Sequence, residues 1–562
     1  MLNLKKALAA DIREGAIAAG YNLKPDQPVS VAHTDKPEHG DYASAIALSL
    51  VKGSKQKPLD IVGAIAQHMP KKEYIGKIEA APPGFLNITI SHDWLASKVD
   101  DIIEQEKVIE ENIGEGKLVN LEFISANPTG PLTLGNARTA FSADTLANVL
   151  TAAGFNVTRE YYINDAGTQI ARLGESVLRR ALEQKGIKVE FAEDLYQGEY
   201  IIGLAKKITE LWKENEGKEF IESDLTDKDL IEKISTEAME QMLAAIKKTI
   251  HDDLRIHFDI WTSERALKKT QAAEHTLAKL KKNNLVYEKD GAVWFKATEF
   301  GEAEDKVLVK SSGQYAYIMP DIAYHQNKYD REFDLIFTFL GADHLGQVSK
   351  LTAAMKALGN DIEKLHFVVA QWLSLQKDGK EFTPSKRKGN VYSPSDLIAE
   401  IGYDAARFFM VQRSLRTHLV IDLDIAKERN ERNPVYYVQY AYVRLQSILR
   451  KAKQHGFIEE VGEQVPKPGK LMLAEGPEMT LLKALYGLPE TVAEISQTFE
   501  VQTLAYFAHE LARSVHSFYR DVRVLASEDK DVVLSRLQLV AAAKKVLGQT
   551  LDLLGISKPD VM

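Results

Sequence analysis

The sequence predicts a multidomain α/β protein: a doubly wound parallel sheet at the centre, an amino-terminal α+β domain before it and a carboxyl-terminal all-α helical bundle after it. Three observations carry this. Strand-like and helix-like patterns alternate from Lys117 onward, over Leu118 to Ile124, Gly135 to Ala153, Val157 to Ile163 and Ala166 to Gln184. Such alternation makes the central domain Rossmann-like. At 562 residues the chain is too long for one hydrophobic core. Beyond Ser393 the periodicity is helical to the last residue.

Composition narrows the class. With 45% hydrophobic and 27% charged residues, and no apolar run long enough to span a bilayer, the chain reads as globular with no membrane partner. The stretch Met1 to Arg13 has helical periodicity with an acidic residue in it, unlike a leader, so cytoplasm is expected. The absence of cysteine excludes disulfides and thiolate zinc sites, no His-Glu-x-x-His pattern occurs, and no structural metal is expected. A net charge of −9 speaks against non-specific coating of nucleic acid and leaves room for a local basic track.

Residues 1–112 read as a self-contained α+β module. A first amphipathic helix is followed by Gly40-Asp41-Tyr42-Ala43, which leads into a helix through Leu50. Another helix follows Lys57-Pro58, and a strand from Gly84 to Ile90 enters through Pro82-Pro83. Taken by themselves, Tyr42 and Phe85 are more often core aromatics than base-stacking platforms.

Residues 113–380 carry the sheet, with insertions over about 185–310. From Leu121 to Arg138 the chain reads strand, rigid turn, helix, because Pro128, Gly130 and Pro131 deny a helix in between. In an open α/β sheet ligands bind beyond the carboxyl ends of the strands, where a helix start offers N–H groups to phosphate. Asn164 or Asp165 can cap the next helix. The charged, helical stretch from Lys185 to Leu285 carries no usable motif, and Asp290-Gly291 between alternating runs predicts a hairpin over Val286 to Phe295. The second half resumes at Val307, with Pro320 at a helix start and strands over Leu335 to Leu340 and Leu365 to Leu375. A basic loop occupies 381–395, which alone could be a solvated turn, and Ser393 with Pro394 and Asp396 then starts the helical region 396–562.

These words resemble class I aminoacyl-tRNA synthetases, and among them the arginyl-tRNA synthetases. The run from Ser125 to Leu132, followed by a four-residue signature and Ala137-Arg138, is similar to that family's "HIGH" block. The signature reads Thr133-Leu134-Gly135-Asn136, so both histidines are absent. A Thr-x-Gly-Asn version occurs in tryptophanyl enzymes of the class, and a hydroxyl and an amide can still donate hydrogen bonds to phosphate. Tyr161 to Ile170, Pro320 to His325 and Gly341 to Gln347 match further blocks. Glu381 to Asn390 resembles "KMSKS", with Thr383 at its first lysine. Gly40 to Ala43 and Pro83 to Asn87 resemble the family's amino-terminal appended domain. Asn433 to Arg444, His516 to Leu525 and Leu551 to Met562 resemble its anticodon-binding bundle.

The resemblance implies ATP-dependent attachment of L-arginine to tRNA(Arg) through an arginyl-adenylate. It implies catalytic roles for Thr133, Gly135, Asn136, Lys386, Arg387 and Lys388. The ATP site would draw on Pro128, Gly130, Leu132, Thr133, Gly135, Asn136, Gly341, Asp343, His344, Ser385 and Lys386. Arginine would meet Glu122, Ser125, Asn127, Tyr317, Asp321 and Gln347, with Glu122 and Asp321 on the guanidinium; without the family Glu122 reads as an acid on a strand's solvent face. Phe85, Asn87, Tyr437, Tyr440, Arg444 and Tyr519 would touch tRNA, although a tyrosine stripe on a helix is usually core. ATP would arrive with Mg2+, zinc is not expected, and a monomer is. The missing histidines leave a second reading, a catalytically impaired tRNA-binding paralogue.

Overall fold

Five parallel strands form the central sheet of the computed structural model: β1 (Leu118–Glu122), β2 (Asn156–Ile163), β3 (Ile260–Ser263), β4 (Leu335–Gly341) and β5 (Leu365–Ala370), in the order β5-β4-β1-β2-β3. The structure describes residues 1–34, 36–109, 112–382, 392–459, 464–469 and 471–562. From β1 the chain passes through helix α1 (Leu134–Ala152) to β2 on one side, and returns much later to β4 on the other. Strand order therefore reverses between β1 and β4, which is where such sheets open a crevice. Helices α2 (Thr168–Gln184), α3 (Ile318–Asp330) and α4 (Leu345–Ala357) complete this frame.

Three departures from the sequence expectations have physical causes. The first strand ends at Glu122 because Ile124 and Ser125 take positive φ of 66° and 38°. That conformation is strained for a β-branched residue and turns the chain out of the sheet. β3 lies inside the stretch read as insertion; four half-buried residues give too short a pattern to recognise. The strand expected over Leu365 to Leu375 is two strands. The second, Leu373–Lys377, joins Lys380–Phe382 and Leu419–Asp422 in a separate sheet, because the carbonyls of Gln371 and Trp372 between them are held by Arg138. The Asp290-Gly291 hairpin forms as expected, both residues having positive φ.

This unit runs from Gly114 to Arg429, so residues 396–429 belong with the sheet. Met1–Ile113 and Asn430–Met562 make the other unit. In it, an antiparallel four-stranded sheet and its helices meet a bundle that includes Pro434–Gln454, Gln502–Asp521 and Lys530–Leu554. Buried Glu490 of the bundle accepts from the Tyr42 hydroxyl at 2.8 Å and lies 2.7 Å from His33 Nε2. Among the described residues no helix is long and apolar enough to cross a membrane.

Candidate active site

The turn after β1 is fixed from several directions. Ser125 Oγ donates to Glu122 Oε1 at 2.9 Å and accepts from the Tyr162 N–H at 3.1 Å. Pro128 and Leu132 are buried, and the Thr129 carbonyl accepts from the Tyr200 hydroxyl at 2.8 Å. A Cβ at Gly130 would stand 3.3 Å from that hydroxyl, a tight approach that glycine relieves. Tyr200 comes from the motif-free insertion, and no sequence signal marked it.

Thr133 caps α1. Its N–H and hydroxyl both donate to Asn136 Oδ1 at 2.9 Å, and its Oγ1 accepts from the Asn136 N–H at 3.3 Å. This reciprocal capping box leaves the first main-chain N–H groups of the helix and the Asn136 amide nitrogen to meet an incoming anion. Gly135 is exposed in the first turn. One turn on, fully buried Arg138 spreads its guanidinium over four carbonyls, those of Gln371, Trp372, Ser414 and Thr417. It thereby ties the helix start to the segments that flank β5 and the small sheet.

A cluster of acids gathers at the end of β1. Glu122, at the end of β1, is buried; its Oε2 accepts from Lys328 Nζ at 2.6 Å. Asp321, in the first turn of α3, has its carboxyl pushed up to about 7, first by burial and then by Glu122 and Glu264. Glu264 is a third, buried carboxylate that the sequence reading missed, since a lone acid after a short strand carries no pattern. With its amide turned so that nitrogen faces acceptors, Asn164 donates to Glu264 Oε2 at 2.7 Å, and its other end meets Asn127. The Tyr162 ring packs tilted against that of Tyr324, centroids 4.4 Å apart, and burial together with Glu264, Asp321 and Glu122 holds its hydroxyl well above the usual range. Tyr317, largely exposed, is hydrogen-bonded to Gln347, and partial desolvation and then Asp321 raise its hydroxyl. Ser125 and Tyr317 thus lie against the cluster of acids, with Gln347 joined to it through Tyr317 and Asn127 through Asn164.

At the carboxyl end of β4, Gly341 is followed by exposed Asp343 and by His344, whose Nε2 lies 3.5 Å from the Asp343 carboxylate. A Cβ on Gly341 would collide with Asp343 Oδ1 at 2.5 Å, so glycine lets this acid fold back over the strand end. Thr383, Ser385, Lys386, Arg387 and Lys388 lie outside the described residues.

In the other unit, Phe85 is half-buried and Asn87 buried in their strand. The bundle residues converge. The Arg444 guanidinium stands over the rings of Tyr440 and Tyr519 at 4.4 and 4.7 Å and donates to His516 Nδ1 at 2.8 Å. His516 Nε2 lies 3.0 Å from the Tyr437 carbonyl, and Tyr437 stacks on His509 at 5.0 Å. His516 is kept neutral, chiefly by burial.

The parallel sheet with its helix start at the switch point, the cluster of acids at the end of β1 and the separate aromatic bundle make up a class I aminoacyl-tRNA synthetase. Residues 98–426 match the family described as "tRNA synthetases class I (R), catalytic domain". Residues 3–90 match "Arginyl tRNA synthetase N terminal domain" and residues 438–562 "DALR anticodon binding domain". The chain belongs to the arginyl-tRNA synthetases. It is 40% identical to the arginine–tRNA ligase of Carboxydothermus hydrogenoformans, over 99% of this chain and 98% of the other. With that of Bacillus subtilis it shares 37%, over 100% and 99%. The Thermus thermophilus arginyl-tRNA synthetase structure has the same fold, with TM-score 0.77 at 21% identity over the full length of both.

Proposed function

We propose that this enzyme joins L-arginine to tRNA(Arg) with the guanidinium held by Glu122 and Asp321 and the nucleotide phosphates at the start of α1. The reaction uses ATP, forms arginyl-adenylate with release of pyrophosphate, and transfers the arginyl group to the 3′-terminal adenosine. One observation carries the amino-acid assignment: Glu122, Asp321 and Glu264 share a pocket in which Asp321 is pushed up to about 7. Carboxylates gathered this way are relieved by a permanently charged, planar cation, and a guanidinium presents donors to two of them at once. Tyr317 would hydrogen-bond the same group, while Ser125, Asn127 and Gln347 hold the α-amino end.

Adenylate formation displaces pyrophosphate at the α-phosphorus, so the protein positions the carboxylate and stabilises charge on phosphate oxygens. Thr133, Gly135 and Asn136 serve the phosphates at the helix start. Pro128, Gly130, Leu132, Gly341, Asp343, His344 and Ser385 contact the nucleotide, and Lys386, Arg387 and Lys388 supply positive charge to the departing pyrophosphate. Magnesium fits as a passenger on ATP, since the exposed Asp343 carboxylate offers one oxygen ligand rather than a cage. When bound, it neutralises phosphate charge. Phe85 and Asn87 contact the tRNA body and the Tyr437, Tyr440, Arg444 and Tyr519 cluster its anticodon loop, where unstacked bases meet aromatic and guanidinium planes. A cytoplasmic monomer completes the proposal.

The test is charging of total tRNA with radiolabelled arginine, ATP and magnesium, beside a mixture of the other nineteen amino acids. Arginine alone is expected to be attached. Equal charging with lysine would overturn the guanidinium site.

A further inference from the structure

We propose that Lys328 is a positioning residue for arginine: its ammonium holds the Glu122 carboxylate in the orientation from which Glu122 and Asp321 together meet the guanidinium. This rests on the reading of Glu122 and Asp321 given above.

A lysine with no exposed surface is rare and demands partners. Lys328 Nζ donates to Glu122 Oε2 at 2.6 Å and to Thr338 Oγ1 at 3.1 Å, and lies 4.7 Å from the centre of the Tyr324 ring. Thr338 on β4 stands opposite Glu122 on β1 in the sheet register, so the ammonium sits where the two strands meet at the switch point. Asp321 and Lys328 share α3 and are two turns apart on one face. That single helix fixes Asp321 directly and Glu122 through Lys328, and so sets the spacing of two acids that come from distant parts of the chain. His325, between them on α3, bonds the Asp321 carbonyl and Thr338 and stays neutral, burial pushing it down to about 3.

The same ammonium places a positive charge against Glu122, and it also faces Glu160. Three carboxylates without it would drive one another toward protonation, and a neutral acid holds a guanidinium poorly. With Lys328 in place, the Glu122 carboxylate has Oε2 engaged by the ammonium and Oε1 by the Ser125 hydroxyl. A buried ion pair is seldom needed for stability alone, since apolar residues of similar volume often replace one without loss. The lysine is therefore better explained by what it does to Glu122.

The test is a double-mutant cycle on the full-length enzyme, reading KM for arginine and for ATP in pyrophosphate exchange with tRNA present. Lys328→Met is expected to raise the arginine KM about tenfold or more while the ATP KM moves less than about twofold. In a Glu122→Gln background, adding Lys328→Met should leave the arginine KM where Glu122→Gln alone put it. Lys328→Gln, which can still donate to Glu122, should fall between wild type and Lys328→Met, and it carries the test where Lys328→Met does not fold. An unchanged arginine KM with only a lowered melting temperature would make Lys328 structural and overturn the proposal. So would a Lys328→Met effect of full size in the Glu122→Gln background. If Glu122→Gln itself left the arginine KM unchanged, the reading of Glu122 would be what fails.

Discussion

Asn136 Oδ1 takes both the main-chain N–H and the hydroxyl of Thr133, each at 2.9 Å, so the two residues at the histidine positions of the family signature are bound to one another. The pair is at once a helix cap and a candidate phosphate site. Two substitutions separate these roles. Asn136→Ala should lower stability by about 1 kcal/mol, the usual size of a lost cap, and slow adenylate formation. Asn136→Asp keeps the capping oxygen and replaces an amide with a negative charge. It should unfold like wild type but lose most pyrophosphate exchange. Thermal unfolding and exchange rates on both variants check this.

Gly135 offers a cleaner case. A Cβ there would meet only Thr133 Oγ1, at an ordinary 3.6 Å, so the protein itself has room for alanine. Gly135→Ala should hold or raise stability, by up to about 1 kcal/mol from helix propensity. The ATP KM should nevertheless rise, because the methyl stands where the phosphates approach. Unchanged ATP kinetics would move the phosphates away from this helix start.

Asp321 links pH to both binding and stability. Its carboxyl, at about 7 in the folded protein, is raised by burial and by Glu122 on β1 and Glu264 after β3, with the hydroxyls of Tyr162 and Tyr317 also facing it. Arginine keeps its charge throughout and needs the ionised acid. Its kcat/KM should therefore climb with pH up to about 7 and then level off.

For stability the sign is opposite. A carboxyl raised above its unfolded value favours the fold while protonated, and that contribution is lost as pH rises through about 7. Asp321→Asn should thus melt somewhat above wild type at pH 5, where the unfolded carboxyl is already ionised, and by a wider margin at pH 8. It should lose arginine selection at both pH values while keeping tRNA affinity. Melting curves at the two pH values, with filter binding of tRNA, test the three expectations together.

In the bundle, Arg444 stands over Tyr440 and Tyr519, one guanidinium plane between two rings. Arg444→Ala should weaken tRNA binding by about 1–3 kcal/mol, the range of one stacked base, and leave the KM for ATP unchanged. Binding isotherms at two salt concentrations measure the loss and separate a stacking role from a charge role.

The sequence by itself determined the frame: the strand, rigid turn and capped helix from Leu118 to Ala152, the Asp290-Gly291 hairpin and the helical carboxyl-terminal region. In each case the signal is local, because apolar period, proline position and capping residues act within a few residues of one another. The family words also marked Glu122 and Asp321. What surrounds them came only from the tertiary structure. Lys328 reaches Glu122 across 206 residues of sequence, Glu264 stands at a helix start just after a four-residue strand with no pattern, and Tyr200 props the Thr129 turn from an unmarked helix. Arg138 breaks what reads as one strand into two by gripping carbonyls more than 230 residues away. Which tyrosines gather around Arg444 was likewise settled by packing. Period and propensity say which face of an element is apolar; which buried charge answers which is decided when distant segments meet and leave water together, because a buried charge has to find its partner there.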